Sequence, residues 1–295
     1  MMASDVARNG NICWQVGHGR SLQLADRGHI MAIVNVTPDS FSDGGRFAGS
    51  AQAVDYALAC VAEGAAILDV GGESTRPGAA EVSAAEEQDR VLPVIERLAQ
   101  ETDVLISIDT YRASTARLAV QAGAHIINDV HGLQREPEIA AVATEAGAGL
   151  CIMHTGRGRE GESLPDVIAD QRAFFEASLA IAEAAGVSPE AVVLDPGFGF
   201  AKNTRHNMQL MARFHELHDL GFPWLIGTSR KRFVGAVTGR DVAAERDIGT
   251  AATTAILRLA GAAVFRVHDV ASNRQALAMA DAFRAAQQET GGENA

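Results

Sequence analysis

One pattern repeats from residue 30 towards the C-terminus and limits what this chain can fold into. A short run rich in Ile, Val and Leu ends at a polar residue, a loop with Gly or Pro follows, and then comes an Ala-rich stretch with helical spacing. Eight such runs occur, at 30–34, 66–70, 104–108, 125–127, 149–153, 191–194, 223–226 and 262–267. Continuous apolar runs without strict alternation are typical of parallel strands covered by helices.

Eight strand–helix repeats with right-handed crossovers either close into a barrel or form an open, doubly wound sheet. Eight is the strand number of the (β/α)8 barrel, which usually takes about 250 residues. The 295-residue chain therefore predicts the α/β class, as a (β/α)8 TIM barrel over residues 30–288. Residues 1–29 are predicted to be an N-terminal extension with a short β-hairpin at the bottom of the barrel, and residues 289–295 a flexible tail.

Two helix starts carry local signals. Ser83, followed by Glu86 three residues later, predicts a capping box. In the last helix Ser272 and Gln275 predict the cap. The buried side of that helix is predicted to carry Leu277, Ala280 and Phe283.

Charge and cysteine content exclude several classes of protein. The net charge of −12 is wrong for a general nucleic-acid binder, so an anionic ligand must meet a local cluster of Lys and Arg. Cys13, Cys60 and Cys151 are odd in number and lack CxxC spacing, which argues against a disulfide framework or a zinc site. No stretch predicts a signal peptide or a membrane span. We therefore expect no nucleic acid, no membrane partner and a cytoplasmic location.

A polar side chain follows each predicted strand, at the barrel end where reactive groups lie. One such residue alone is typical of a helix cap or a turn. Eight in register, with Lys, Arg and His among them, indicate a single binding site. These positions are Asn35, 73–76, Asp109, Asn128, His154, Asp195, 229–231, Arg266 and His268.

The chemistry of this set divides in two. A basic group in an acidic protein, together with an amide, predicts a phosphorylated substrate and a divalent metal; it consists of Arg76, Lys231, Arg266, His268 and Asn35. Two acids and an amide suit the edge of a heterocycle with amino and ring N–H groups; they are Asp109, Asn128 and Asp195. The long loops 37–50 and 71–83 predict binding loops, the alternative being surface disorder.

Seven stretches in order resemble the dihydropteroate synthase family. They are NVTPDSFSDGG (35–45), ESTRPG (73–78), SIDT (107–110), IND (127–129), DPGFGF (195–200), TSRK (228–231) and RVHDV (266–270). The resemblance implies a pterin-binding barrel and a transferase of folate biosynthesis. That enzyme joins 7,8-dihydropterin-6-ylmethyl diphosphate to 4-aminobenzoate and releases pyrophosphate, a step that sulfonamides block. The resemblance also implies Mg²⁺ as cofactor and a homodimer formed through C-terminal helices.

Position by position, the resemblance implies a role for each site residue. Asn35 is expected to contact the metal. The diphosphate is expected to meet Asn35, Arg76, Arg266 and His268. The pterin is expected to meet Asp109, Asn128, Asp195 and Lys231. The aminobenzoate is expected to meet Phe41, Thr75, Pro77 and Ser229. The residues expected to act in catalysis are Arg76, Lys231, Arg266 and His268.

The expected reaction depends on cations that stabilise the leaving diphosphate and does not need a strong base. Breaking the C–O bond leaves negative charge on the diphosphate, which the basic group stabilises, whereas an arylamine is already neutral at pH 7. Glu73 is either a base or a carboxylate paired with a neighbour, and Arg232 either meets the aminobenzoate carboxylate or faces solvent. Two rival functions remain: a pterin-binding methyl-transfer domain, with no use for the diphosphate cations, and a silent binding protein.

Overall fold

The computed structural model describes residues 12–37, 45–73, 81–156 and 164–292. A two-stranded hairpin comes first, formed by β1 (Cys13–Val16) and β2 (Arg20–Gln23). Eight parallel strands follow: β3 (His29–Asn35), β4 (Ile67–Gly71), β5 (Leu105–Asp109), β6 (Ile126–Asp129), β7 (Gly149–Met153), β8 (Val192–Asp195), β9 (Leu225–Ile226) and β10 (Val264–Val267).

Helices alternate with these strands throughout the described ranges. They are α1 (Gly45–Glu63), α2 (Ala84–Glu101), α3 (Ala113–Gln121), α4 (Glu138–Ala146), α5 (Val167–Ala184), α6 (Thr204–Ala212), α7 (Arg232–Thr238), α8 (Asp247–Leu259) and α9 (Val270–Gly292). None of them has the length and apolar character needed to span a bilayer.

The sheet closes on itself, which confirms the predicted barrel over the open sheet. Its strand order is β8-β7-β6-β5-β4-β3-β10-β9. The two ends meet where Leu194 of β8 forms a parallel bridge with Trp224, just before β9. The Leu194 N–H donates to the Pro223 carbonyl at 3.0 Å across this seam.

The side chains that point into the barrel form two layers. The apolar floor near the amino ends of the strands consists of Met31, Ile67, Leu105, Ile126, Cys151, Val193, Leu225 and Val264. Because side chains alternate along a strand, the residues two positions later point inward as well. On five of the eight strands that residue is polar, and these five form the polar layer: Asp69, Ser107, Asn128, Asp195 and Arg266. Polar groups are thus confined to the carboxyl half of the interior.

The hairpin covers the amino end of the barrel. The Trp14 indole Nε1–H donates to the Ala191 carbonyl at 2.8 Å, and the Gly17 N–H donates to the His125 carbonyl at 2.8 Å. Trp14 and Val16 pack in the same cluster as the apolar floor. The predicted N-terminal hairpin is therefore confirmed, and its side chains extend the core.

The helix starts agree with the sequence at α2 and differ at α9. Ser83 Oγ accepts from the Glu86 N–H at 3.2 Å, as predicted. At α9, Asp269 provides the cap instead of Ser272, because its Oδ1 accepts from the Ser272 N–H at 3.1 Å.

The buried face and the end of α9 also differ from the prediction. Leu277 and Ala280 are buried, but Phe283 is 54% exposed, so its predicted burial is wrong. The helix continues to Gly292, and the backbone of 289–292 is helical where the sequence predicts a tail. Residues 293–295 lie outside the described residues.

Candidate active site

Most predicted site residues lie at the carboxyl ends of the strands. Asn35 ends β3, Asp109 ends β5 and Asp195 ends β8. The others within the described ranges are Asn128 in β6, Ser229 and Lys231 after β9, Arg266 in β10 and His268 just after it. Four predicted residues lie outside the described residues: Phe41, Thr75, Arg76 and Pro77.

Arg266 ties together three of the strands. Its Nε donates to Asp69 Oδ2 at 2.5 Å, and its Nη2 donates to Asp109 Oδ2 at 2.6 Å. Asn128 Nδ2 donates to the same Asp69 oxygen at 3.1 Å. Asp69 is completely buried, and no residue in the described ranges is bonded to its Oδ1. Arg266, Asp69, Asp109 and Asn128 thus form one hydrogen-bonded network, in which Asp69 Oδ1 is an acceptor without a partner among the described residues.

Burial sets the charge state of this network. Burial raises the pKa of Asp109 to about 7; the Arg266 cation opposes this shift and the Asp69 carboxylate adds to it. Burial works against the charged form of Arg266, but Asp69 and Asp109 outweigh it and raise the pKa of the guanidinium. Arg266 therefore stays charged, while burial disfavours the charged form of Asp109.

One oxygen of Asp195 accepts a hydrogen bond from its own turn, and the other lies beside Gly227. Its Oδ1 accepts from the Gly197 N–H at 2.7 Å. A Cβ at Gly227 would lie 3.5 Å from Oδ2, so the glycine leaves room beside that oxygen. Burial raises the pKa of Asp195 to about 6, against the Gly197 N–H and the Lys231 charge.

Lys231 lies over the turn that follows β8. Its Nζ is 4.0 Å from the centre of the Phe200 ring, within the range of a cation–π contact. A Cβ at Gly199 would come within 3.0 Å of Lys231 Cδ, so the turn and the side chain are closely packed. Lys231 also lowers the pKa of Asp195, although burial is the larger influence. It is thus the cation on the β9 side of the site.

Ser229 and His268 form a second pair at the rim. Ser229 Oγ lies 2.9 Å from His268 Nδ1 and accepts from the His268 backbone N–H at 3.0 Å. The Tyr56 hydroxyl of α1 donates to the His268 carbonyl at 3.1 Å. Ser229, predicted to lie near one substrate, therefore contacts His268, predicted to lie near the other.

Glu73 is a paired carboxylate, and the structure decides between its two interpretations. Its Oε1 accepts from the Tyr111 hydroxyl at 2.9 Å, and its Oε2 accepts from Arg112 Nη1 at 2.7 Å. Arg112 in turn donates to the Val82 carbonyl at 2.6 Å. A carboxylate held in this way is a poor general base. Arg232, the other open case, is exposed at the first position of α7.

Asp69 is the member of the site that sequence reasoning missed. It is the middle residue of the buried strand β4, ILDVG, and not the polar residue that follows an apolar run. The available signal was a charged residue at an inward-facing position of a parallel strand, where burial without a partner is costly. No group of three or more His, Cys, Asp and Glu residues in the described ranges is arranged to hold a metal ion.

Comparisons with known proteins agree with this geometry. Residues 31–268 match the protein family described as pterin binding enzyme. The chain is 46% identical over 261 residues to the dihydropteroate synthase of Synechocystis sp., covering 87% of this chain and 90% of that protein.

Two solved structures share the fold closely. The dihydropteroate synthase of Xanthomonas albilineans with 4-aminobenzoic acid has a TM-score of 0.88 at 42% identity, covering 93% of this chain and 99% of that one. The dihydropteroate synthase of Yersinia pestis in complex with a sulfonamide drug has a TM-score of 0.84 at 42% identity, covering 91% and 98%.

Proposed function

This chain belongs to the dihydropteroate synthase family of pterin-binding enzymes, and from that premise we propose how its residues divide the reaction. It is a transferase of folate biosynthesis that joins 7,8-dihydropterin-6-ylmethyl diphosphate to 4-aminobenzoate, giving 7,8-dihydropteroate and pyrophosphate. The observation that carries the division of roles is the polar layer in which Arg266 bridges Asp69 and Asp109.

We assign the pterin ring to Asp109, Asn128, Asp195 and Lys231. Asp195 Oδ2, with the space left by Gly227, can accept from the pterin 2-amino group and the adjacent ring N–H. Lys231 can donate to acceptors on the opposite ring edge. A neutral group in place of Asp195 would leave ring donors unpaired, at about 1–3 kcal/mol each.

We assign the diphosphate to Asn35, Arg76, Arg266 and His268. Arg266 donates to Asp69 and Asp109 through Nε and Nη2. Its remaining nitrogen, Nη1, takes no part in these two ion pairs and could donate to a phosphate oxygen. His268 stands at the rim just beyond it, held by Ser229. In this assignment the four residues stabilise the negative charge that develops on the diphosphate as the C–O bond breaks, which is electrostatic catalysis.

The bond changes need no strong base. Pyrophosphate leaves with the electron pair of the C–O bond, and the positive charge left on the methylene spreads into the pterin ring. The arylamine nitrogen then attacks this carbon with its lone pair, and the proton that it loses passes to the released pyrophosphate or to water. Glu73 is not required for this step, in keeping with its bonds to Tyr111 and Arg112.

We assign the aminobenzoate to the rim at Ser229 and, from the family resemblance alone, to Phe41, Thr75 and Pro77, which lie outside the described residues. Ser229 lies beside His268, so the two substrates would approach each other at this point. The Yersinia pestis neighbour holds a sulfonamide drug, and we propose that such drugs occupy the same place in this chain.

We propose Mg²⁺ as cofactor, with Asn35 as its protein contact. An amide oxygen is a suitable ligand for this hard cation, which commonly keeps waters and binds substrate phosphates. The described residues offer no larger acidic cluster, so the diphosphate itself would supply further oxygens. When bound, the ion would add positive charge to the leaving group.

Pyrophosphate release tests the assignment. The pterin diphosphate and Mg²⁺ should give pyrophosphate with 4-aminobenzoate, and the rate should fall by roughly 10²–10³ in Arg266→Ala. An unchanged rate would remove Arg266 from the diphosphate. Pterin binding without any pyrophosphate release in the wild type would favour a methyl-transfer domain or a silent binding protein.

We further propose a homodimer through α8 and α9. These helices pack on each other and carry large apolar side chains that are exposed in the single chain: Ile248, Ile256, Leu259, Met279 and Phe283. Large apolar side chains exposed on two adjacent helices are what a protein interface would cover. Light scattering should give twice the chain mass for the wild type and a smaller mass for Phe283→Glu; a monomeric wild type would refute the dimer.

We infer a cytoplasmic location from the cysteines. All three are free thiols, and Cys60 and Cys151 are buried. Burial raises the pKa of the Cys151 thiol, which keeps it in its unreactive form. Free cysteines are typical of a reducing compartment.

A further inference from the structure

Lysine is rare in this chain, and both lysines lie beside Asp195. Of the 25 Lys and Arg residues only Lys202 and Lys231 are lysines. Lys231 belongs to the proposed pterin site, whereas the reaction as described makes no use of Lys202. All other strong cations of the chain are arginines. The geometry around Lys202 should therefore explain why a compact ammonium group stands at this position.

Lys202 is half-buried, and among the described residues its Nζ has three hydrogen-bond contacts around the β8–α6 turn. Its Nζ lies 2.9 Å from His154 Nδ1, 3.1 Å from the Gly197 carbonyl and 3.4 Å from the Phe200 carbonyl. An ammonium group has three donors spread around one nitrogen, which suits three acceptors in different directions. A planar guanidinium cannot reproduce that arrangement.

His154 connects Lys202 to the helix behind it. This histidine is 1% exposed, and its Nε2 lies 2.9 Å from Asp170 Oδ2 of α5. Because an ammonium group can only donate, Nδ1 is the acceptor and Nε2 carries the proton that Asp170 accepts. The three side chains therefore form one relay, Lys202–His154–Asp170, that anchors the turn to β7 and α5.

The anchored turn contacts both pterin-site charges. The Gly197 N–H donates to Asp195 Oδ1 at 2.7 Å, and the Phe200 ring lies 4.0 Å from Lys231 Nζ. Ala201, within this turn, has a φ of 51°, a left-handed conformation that alanine rarely adopts. Since the local chain does not favour this backbone, tertiary contacts such as those of Lys202 must hold it.

We propose that Lys202 is a positioning residue, which through His154 and Asp170 holds the β8–α6 turn so that Asp195 and Lys231 are aligned for the pterin ring. The proposal rests on the proposed function, because it names a further residue for the same site. Lys202 also contributes charge there. Burial raises the pKa of Asp195, and Lys202 works against that shift together with Lys231 and Arg266.

Binding measurements on variants test the alignment. Lys202→Met and Lys202→Arg should both weaken 6-hydroxymethylpterin binding by about tenfold or more in calorimetry, while the KM for 4-aminobenzoate stays within about twofold. Arg172→Met is the matched control, since Arg172 is a cation of α5 that pairs with Asp219 on the surface. It should leave both constants unchanged.

Two results would overturn the proposal. One is unchanged pterin affinity in Lys202→Met; the other is an equal loss for both substrates, which would show a general structural role. Full pterin affinity in Lys202→Arg would contradict the requirement for an ammonium group. A wild-type chain that fails to bind the pterin would instead refute the proposed function.

A second measurement is made on the wild-type chain and uses a variant only to assign the signals. Protein labelled with ¹³C-lysine should give two side-chain ε-methylene signals, because the chain has two lysines, and Lys202→Arg assigns them by removing one. Addition of 6-hydroxymethylpterin should shift both signals, the Lys202 signal through the turn. A shift of the Lys231 signal alone would show that the turn does not couple Lys202 to the site.

Discussion

Three buried carboxylates lie at the open end of the barrel, where burial works against their charged forms. Asp69, Asp109 and Asp195 are at most 9% exposed, and Arg266 pairs directly with the first two of them. A buried charge is costly unless paired and hydrogen-bonded. The raised pKa values of Asp109 and Asp195 reflect this cost. A heterocycle with N–H donors would reduce the cost of burying these carboxylates by forming hydrogen bonds with them. The charge of the free site therefore favours a ligand of this kind.

Replacing Asp195 should abolish most pterin affinity without loss of the fold. In Asp195→Asn the amide oxygen can still accept from the Gly197 N–H, but the amide nitrogen faces the ring donors. Unpaired donors cost about 1–3 kcal/mol each, so affinity should fall about a hundredfold or more in calorimetry. Urea unfolding at pH 8 should show no loss of stability, because a buried charge has been removed. Retained affinity would show that the pterin lies elsewhere.

Pterin binding should release protons below neutral pH. The pKa values of Asp195, about 6, and Asp109, about 7, lie above the ordinary carboxyl range because both groups are buried. The free site is therefore partly protonated at pH 6, whereas Asp195 must be ionised to accept from the ring.

Calorimetry in two buffers of different ionisation enthalpy measures this release. The binding enthalpy should depend on the buffer at pH 6 and become independent of it at pH 8.5, and affinity should fall as pH drops through 6. The same raised pKa values favour the folded free protein at low pH and lose that contribution as pH rises through 6–7. A buffer-independent enthalpy at pH 6 would contradict this charge assignment.

At this scale the sequence predicts residues at strand ends better than those inside strands. Asp109 and Asp195 can be identified from sequence because each is a polar residue that ends an apolar run. The carboxyl ends of the strands share one rim of the barrel, which brings such residues together. Asp69 lies two residues before the end of β4, and its partner Arg266 is 197 positions away. Nothing local identifies that pairing; it follows only once the closed sheet sets the register.

Among the elements, α9 shows how a cap is misassigned from sequence. Ser272 and Asp269 are both good N-cap types, and periodicity alone does not say which residue starts the helix. The structure selects Asp269, since α9 begins at Val270 and Asp269 Oδ1 accepts from the Ser272 N–H. The predicted burial of Phe283 is wrong for a related reason. Helical spacing identifies an apolar face, but it does not show whether other parts of this chain cover that face.

Asp269→Ala should destabilise the fold by about 1 kcal/mol, the usual value for loss of a side-chain cap. Ser272→Ala is the matched control, because only its backbone N–H takes part in the cap, and its effect should stay within about 0.5 kcal/mol. Urea unfolding followed by circular dichroism measures both. Equal losses in the two variants would return the cap to Ser272.

The strands, by contrast, follow closely from their apolar runs. The run 149–153 coincides with β7, and the other predicted runs differ from the observed strands by one or two residues at their ends. Parallel strands buried on both faces need continuous apolar sequence, so the pattern is strong. The weakest case is β9, Leu225–Ile226, where the barrel closes through the bridge at Trp224.

The whole molecule separates stability and chemistry along the axis of its strands. The apolar floor and the hairpin occupy the amino end, and the polar layer occupies the carboxyl end. The same strand contributes to both layers on its inward face. Ile67 and Asp69 are two residues apart in β4, and so are Val264 and Arg266 in β10. A barrel of this design can lose packing at one end while the charges at the other end keep their partners.

Trp14 tests that separation. It is fully buried between the hairpin and the floor, and its indole N–H donates to the Ala191 carbonyl. Trp14→Ala should reduce the free energy of unfolding by about 3–5 kcal/mol, the usual range for a large aromatic in a core. Trp14→Phe keeps an aromatic ring but leaves the buried carbonyl without this donor, so it should cost less, about 1–3 kcal/mol.

Activity of the same variants completes the test. At a temperature where each variant is still folded by circular dichroism, kcat/KM for both substrates should stay within about twofold of the wild type, because no group of the polar layer contacts Trp14. A tenfold fall in Trp14→Ala with unchanged secondary structure would mean that the floor transmits strain to Asp69 and Arg266. In that case the two ends of the barrel would form one cooperative unit, and stability changes at the hairpin would alter catalysis directly.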